Sequence, residues 1–215
     1  LEEGDKFGID SIIINGDLMD FPRLGKWLVK PSALSVEHEL TEAENFLSML
    51  RALFLRQKIV YHLGNHDQRF NTYLIRNAPE LFGLGFLELS DVLKLTAKKI
   101  EFVPDTHWME YGHLVVAHGH HIVKGVFAPV SPARGVQIKT FQSTMIGHLH
   151  KSSEHLWTNM SGKQYGTWST GCLCDLKPEY NPQVGQSNLG FALVEKDITG
   201  DFEVFNKKII NYKVK

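Results

Sequence analysis

Four groups of chemically capable side chains stand directly behind four apolar runs. Asp17 follows Ser11–Asn15, Asn65-His66-Asp67 follow Ile59–Leu63, His118 follows His113–Ala117, and His148 and His150 follow Thr144–Ile146. Carboxylate, amide oxygen and imidazole make a mixed hard and borderline donor set. Such a set suits manganese, iron, zinc or cobalt better than an ion that seeks thiolates. A glycine adjoins each group (Gly16, Gly64, Gly119 and Gly147), permitting a sharp chain exit and close approach to an ion. One carboxylate can bridge two ions, and two ions about 3.5–4 Å apart clamp the attacking and leaving oxygens of a phosphoryl displacement.

The elements that must position these groups are legible in the same stretches. Ser11–Asn15 (SIIIN) and Ile59–Leu63 (IVYHL) are short apolar runs of the kind found in buried strands. Between them the pattern predicts a helix from about Ser35 to Gln57. Phe46, Leu47, Leu50, Leu53 and Phe54 recur there at helical spacing, and Thr41 with Glu44 would form a capping box if the helix starts late. A second helix is predicted over Asp67–Asn77, stopped before Pro79. Strand, helix, strand, helix implies parallel strands whose carboxyl ends share one side, where open α/β sheets bind ligands. Further strands are predicted at Ile100–Val103, His113–Ala117 and Thr144–Ile146, and near 164–170, 189–196 and 202–212. The expected fold class is α/β, with two mixed sheets flanked by helices in a single domain over residues 1–215.

Composition narrows the classes. A chain of 215 residues, 43% hydrophobic and 22% charged, can bury a large core, which excludes a disordered chain or a disulfide-stapled miniprotein. Lysine plus arginine number 23 against 24 acidic residues, so the net charge of -1 gives no bulk argument for nucleic acid. Histidine is in excess, with 11 residues, five of them at positions 118, 120, 121, 148 and 150. No apolar run approaches the roughly 20 residues of a membrane span and no signal peptide opens the chain. A cytoplasmic protein without a membrane partner is therefore expected. Cys172 and Cys174 read as reduced core cysteines of such a protein.

In order and wording, Gly16-Asp17, Gly64-Asn65-His66-Asp67, Ala117-His118-Gly119 and Gly147-His148-Leu149-His150 resemble the calcineurin-like metallophosphoesterase superfamily. The family pattern runs D-x-H, G-D, G-N-H-D/E, a histidine after a strand, and G-H-x-H. Four of these five motifs are present, in order, over residues 16–150. Gly171-Cys172-Leu173 and Gly190-Phe191 also resemble phage and prophage members. The resemblance implies two sheets packed as a sandwich and two divalent ions (manganese, iron, zinc, cobalt or nickel). It implies that Asp17 bridges them, that Asn65, His118 and His148 complete the second site, and that His150 belongs to the first. His66 would stand beside the leaving oxygen as proton donor, with Asp67 a candidate to orient it. The implied activity is phosphoester hydrolysis by a metal-bound hydroxide, on a phosphomonoester or, alternatively, on nucleic acid as a nuclease or phosphodiesterase.

Each residue also has a plainer reading. Asp17 could cap a helix, Asn65 could hold a left-handed turn, and any one histidine could be a satisfied core residue. His120 and His121 have no place in the family pattern, and His38, His62, His107, His113 and His155 read as structural or surface residues. Arg69 could grip a substrate phosphate bidentately or form an ordinary surface ion pair. In the loop from Phe21 to Lys30, Phe21, Arg23, Lys26, Trp27 and Lys30 could stack and steer a nucleic-acid strand, or the aromatics could plug the loop onto the core.

No D-x-H precedes Gly16, so the first metal site lacks two of its implied ligands. Leu1–Gly8 reads as the tail of a helix feeding a parallel strand, which requires an earlier strand in the same sheet. The expectation is an upstream strand ending in Asp-x-His and a helix, about 30 residues in all, without which the chain would bind about one ion. If no such segment exists, the chain reads instead as a catalytically inactive binding module on the same fold.

Overall fold

A computed structural model describes residues 8–26, 28–123, 130–176 and 187–215. All but the last residue of the predicted Leu1–Gly8 helix tail, and Trp27 of the aromatic loop, lie outside the described residues. The chain divides into two compact units, Leu1–Asp105 and Thr106–Lys215.

In the first unit the β-branched runs form parallel strands. β1 (Ser11–Asn15), β2 (Lys58–His62) and β3 (Ile100–Val103) make a sheet in that order, all parallel. The crossover from β1 to β2 is α1 (Val36–Leu53), and α2 (Arg69–Asn77) and α3 (Leu89–Val92) lie between β2 and β3. Asn15 pairs opposite His62, so the chain leaves β1 and β2 at adjacent points. The predicted capping box is not used: Ser35 caps α1 by accepting from the His38 N–H, and the Thr41 hydroxyl donates to the Glu37 carbonyl. Of the predicted apolar positions, Leu47, Leu50 and Phe54 face the core and Phe46 and Leu53 do not. Ala43 and Leu47 are buried, with Val36, Leu40, Leu50 and Phe54 packed beside them, at alternating steps of three and four residues. Phe46 and Leu53, one step out of phase, are exposed. Tyr61, Phe21, Leu47, Ile59, Leu93 and Leu95 fill the centre of this core.

The second unit carries a mixed sheet in the order β4-β5-β6-β8-β7, from β4 (Met109–Tyr111), β5 (Leu114–Ala117), β6 (Thr144–Ile146), β7 (Ser153–Thr158) and β8 (Gln164–Ser169). Its inner pairs, β5 with β6 and β6 with β8, are parallel, and its outer pairs are antiparallel. Between β5 and β6 runs α4 (Pro132–Thr140), which buries Ala133 and Val136. β9 (Gly190–Lys196), β10 (Phe202–Ile210) and β11 (Lys213–Val214) form an antiparallel sheet of their own. The mixed α/β class is as expected, but the described residues form three sheets where two are predicted. Of the three, β1–β2–β3 is purely parallel, β9–β10–β11 purely antiparallel, and one sheet is mixed, where two mixed sheets are expected. Among the described residues no helix is long and apolar enough to cross a membrane.

Candidate metal centre

The exits of β1 and β2 place Asp17 against the turn that carries Asn65, His66 and Asp67. Asp17 takes a left-handed backbone (φ 56°), which aspartate tolerates better than most residues. Its Oδ1 accepts the His66 N–H at 2.8 Å. Gly64 makes this approach possible: a Cβ there would lie 2.2 Å from Asp17 Oδ1 and 2.3 Å from its N. Asn65 is not among the residues with positive φ, so it is not the left-handed turn residue of the plainer reading. The next α-helix after Asp17 is α1, which Ser35 caps, so Asp17 has no capping role there.

Asp67 has a different task from the expected one. Its buried carboxylate accepts the N–H groups of Asp17 and Gly64, both at 2.8 Å, and of Met19 at 3.1 Å. It thereby ties the exit of β1 to the exit of β2. Burial and the neighbouring Asp17 charge raise its pKa above the usual carboxylate range, and the N–H donors oppose that rise. The side chain that orients His66 is Asp20, whose Oδ1 bonds His66 Nδ1. On the other side of the ring, an Arg69 N–H points at His66 Nε2 from 3.2 Å, while Arg69 also holds the Asp20 carbonyl at 2.6 Å and its carboxylate at 3.2 Å. A ring that accepts from Arg69 at Nε2 must carry its proton on Nδ1, facing Asp20. Arg69 is thus engaged with Asp20 and His66 rather than in a lone surface ion pair. It belongs to a His–Asp–Arg group.

That group rests on a residue the sequence reading passes over. Glu39 of α1 is buried, and its Oε2 accepts the N–H groups of Asp20 (2.9 Å) and Phe21 (2.8 Å). Burial pushes its carboxyl above the usual range, against the pull of those two hydrogen bonds. Nothing in the sequence marks it, since a glutamate in a helix reads as a solvated face. Phe21 is fully buried and Arg23 donates to the carbonyls of Pro31, Ala33 and Leu34. These two residues of the loop thus serve its own folding.

In the second unit, His118 leaves β5 and His148 and His150 follow β6. The Gly147 N–H donates to the His118 carbonyl at 3.0 Å, locking the two exits together. Gly119 (φ 112°) brings the backbone onto Ile146, where a Cβ would meet the Ile146 Cβ at 2.8 Å. His118 is buried, and its ring centroid is 5.2 Å from that of His148, close enough for one ion to take a nitrogen from each. His148 (φ 48°) and His150 (φ 55°) both hold left-handed backbone, a conformation that costs about 1–3 kcal/mol and clusters at functional sites. His120, outside the family pattern, packs 5.4 Å from His118 and 6.0 Å from His148, with His121 3.8 Å beyond it. The signal that would have found it is the His118-Gly119-His120-His121 run itself. His150 lies beside Cys174, whose Sγ is 4.0 Å from its Nδ1. Cys172 is half-buried and Cys174 exposed, so neither is the core cysteine expected. A hydrogen bond from Cys174 lowers the Cys172 thiol to about 7 and pushes Cys174 up.

Asp17, Asn65, His66, Asp67 and Arg69 therefore gather at one edge of the first unit, and His118, His148 and His150 follow neighbouring strands of the second. No protein-family model and no solved structure matches the chain. It is similar to the "Gene 54 protein" of Mycobacterium phage D29, 28% identical over 178 residues that cover 78% of this chain and 69% of the relative. It is also similar to the "Gene 54 protein" of Mycobacterium phage L5, 26% identical over 199 residues covering 87% and 77% of the two chains.

Proposed function

We propose that this chain is a metal-dependent phosphoester hydrolase of the calcineurin-like type, with the two-sheet sandwich of that superfamily. The observation that carries the reading is the group at the carboxyl ends of β1 and β2, where Asp17 meets the His66 turn and Asp20 holds the His66 ring. Asp17, Asn65, His118, His148 and His150 would hold divalent ions, and their carboxylate, amide and imidazole donors fit manganese, iron, zinc, cobalt or nickel. Bound there, such ions would supply positive charge to phosphoryl oxygens and lower the pKa of water. The remaining work falls to the chain's own groups. As general acid His66 would carry a proton on both nitrogens, holding the Nδ1 proton on Asp20 and giving the Nε2 proton to the leaving oxygen. Arg69, with two donors in a planar fork, exchanges His66 Nε2 for a substrate phosphate oxygen and so frees that nitrogen. Asp67 keeps both chain exits in register beneath them.

A nucleic-acid phosphodiester is the second substrate class, favoured by the β7–β8 hairpin. His155, Trp157 and Tyr165 stack there at centroid distances of 6.1 and 5.3 Å, and Lys163 lies over Tyr165 at 5.3 Å. Stacked aromatics beside a cation suit bases of a single strand. The half-buried and exposed thiols fit the reducing cytoplasm of a bacterial host.

The test is hydrolysis by the full chain of a nitrophenyl phosphomonoester and a bis(nitrophenyl) phosphodiester, with each divalent ion in turn. Manganese-dependent turnover is expected, with bound metal reduced in Asp17→Asn and in His148→Ala. No turnover with any ion would overturn the reading.

A further inference from the structure

His150, Cys172 and Cys174 each offer one ligand atom, and the three atoms all lie within 4.8 Å of one another. In a tetrahedral zinc site, bonds of about 2.3 Å to sulfur and about 2.0–2.1 Å to nitrogen set neighbouring ligand atoms roughly 3.5–3.8 Å apart. The 4.0 Å from Cys174 Sγ to His150 Nδ1 needs only a small side-chain adjustment to reach that spacing.

The backbone that presents these atoms is built around one residue, Asn188. Its N–H donates to the His150 carbonyl at 2.8 Å, and its carbonyl accepts the Cys172 N–H at 2.9 Å. Its side chain closes on Ser152, accepting the Ser152 N–H at 2.7 Å and donating to its hydroxyl at 2.8 Å. The Gly190 N–H returns to the Cys172 carbonyl at 2.9 Å, beside a parallel bridge between Cys172 and Leu189. Gly171 is the close-approach position of this clasp, since a Cβ there would meet the Asn188 carbonyl oxygen at 2.5 Å. Segments remote in sequence are thus pinned to one residue, with the imidazole and a thiol on either side of it. Preorganised support of this kind is what holds ligands at bonding geometry.

We propose that His150, Cys172 and Cys174 form a binding site for one thiophilic divalent ion, zinc by its donor set, with a fourth position open to water or a substrate atom. Two thiolates and one imidazole select zinc or cobalt over manganese and magnesium, unlike the oxygen-rich set around Asp17. The site gives His150 co-ligands from its own unit. It shares with the phosphoesterase reading only the assignment of His150 as a ligand, and it does not require hydrolysis.

Cobalt titration of the full chain, kept reduced by a phosphine, tests the site optically. The expected result is a sulfur-to-cobalt charge-transfer band in the near ultraviolet, abolished in the Cys172→Ser/Cys174→Ser double variant and weakened in His150→Ala. No such band in the unmodified chain, or a band undiminished by His150→Ala, overturns the proposal. A second measurement needs no variant: zinc should slow iodoacetamide alkylation of both cysteines by about tenfold or more, because a metal-bound thiolate is a poor nucleophile. Equal alkylation with and without zinc also overturns it. A charge-transfer band without phosphoester turnover would leave this site standing and remove the phosphoesterase reading, and turnover without the band would do the reverse.

Discussion

The two strand-end clusters solve the same problem by different means. In the first unit, buried carboxylates face backbone: Asp67 gathers the N–H groups of Asp17, Met19 and Gly64, and Glu39 gathers those of Asp20 and Phe21. In the second, imidazoles face one another, with His118, His120 and His148 at centroid spacings of 5.2–6.0 Å, and the Gly147 N–H bonds the His118 carbonyl between the strand exits. A carboxylate that accepts several N–H groups fixes a chain exit in place. Rings in contact fix only their own spacing. The first arrangement is therefore suited to holding a proton carrier at a defined angle, and the second to supplying ligands whose final positions an ion can adjust.

The largest effect should come from the proposed proton donor. His66→Ala is expected to lower kcat by about 10²–10⁴-fold while leaving metal content unchanged, as for loss of a general acid. Metal analysis beside turnover is the check, and loss of metal with intrinsic turnover intact would transfer His66 to the ligand set and erase the contrast. Next in size, Asp67→Ala leaves three N–H groups without their acceptor and should cost about 3 kcal/mol or more of stability, read by denaturant unfolding. A cost near zero would mean that the first cluster, like the second, is held by packing.

The smallest effect is a pH slope. Glu39 has an ordinary value of 4.5 that burial raises in the folded chain, with Asp20 adding to the rise and Arg69 opposing it. The folded state therefore favours the protonated carboxyl. That stabilisation is complete below about 4.5 and is lost as pH climbs through the raised value. Relative to Glu39→Gln, the unmodified chain should lose stability over this interval and change no further above it. A difference independent of pH would show that Glu39 titrates alike in both states.

Much of this was legible in the sequence where one physical signal dominated. The runs Ser11–Asn15, Ile100–Val103 and Thr144–Ile146 coincide with β1, β3 and β6, because apolar residues in short runs have few other places to go. The α1 face is legible at Leu47, Leu50 and Phe54 but not at Phe46 and Leu53, which are exposed yet as apolar as the buried residues, and type alone does not report burial. β4 spans three residues, too short for a period, and α4 is a short helix of nine residues that buries Pro132, Ala133 and Val136. The motif residues of the candidate site were found by their order. Their supports were not, because Asp20 and Glu39 do their work through bonds across 46 and 19 residues of chain, and no local pattern encodes those.

Gly64 shows what such searches overlook. It contributes no side-chain donor, acceptor or charge, and its backbone angle is not one that demands glycine. Its contribution is vacant volume: the space a methyl group would fill is already taken by the Asp17 carboxylate and amide. Part of the centre's specification is thus written as an excluded shape rather than a functional group. A catalogue of reactive residue types would describe the same cluster and miss the condition under which its atoms can meet.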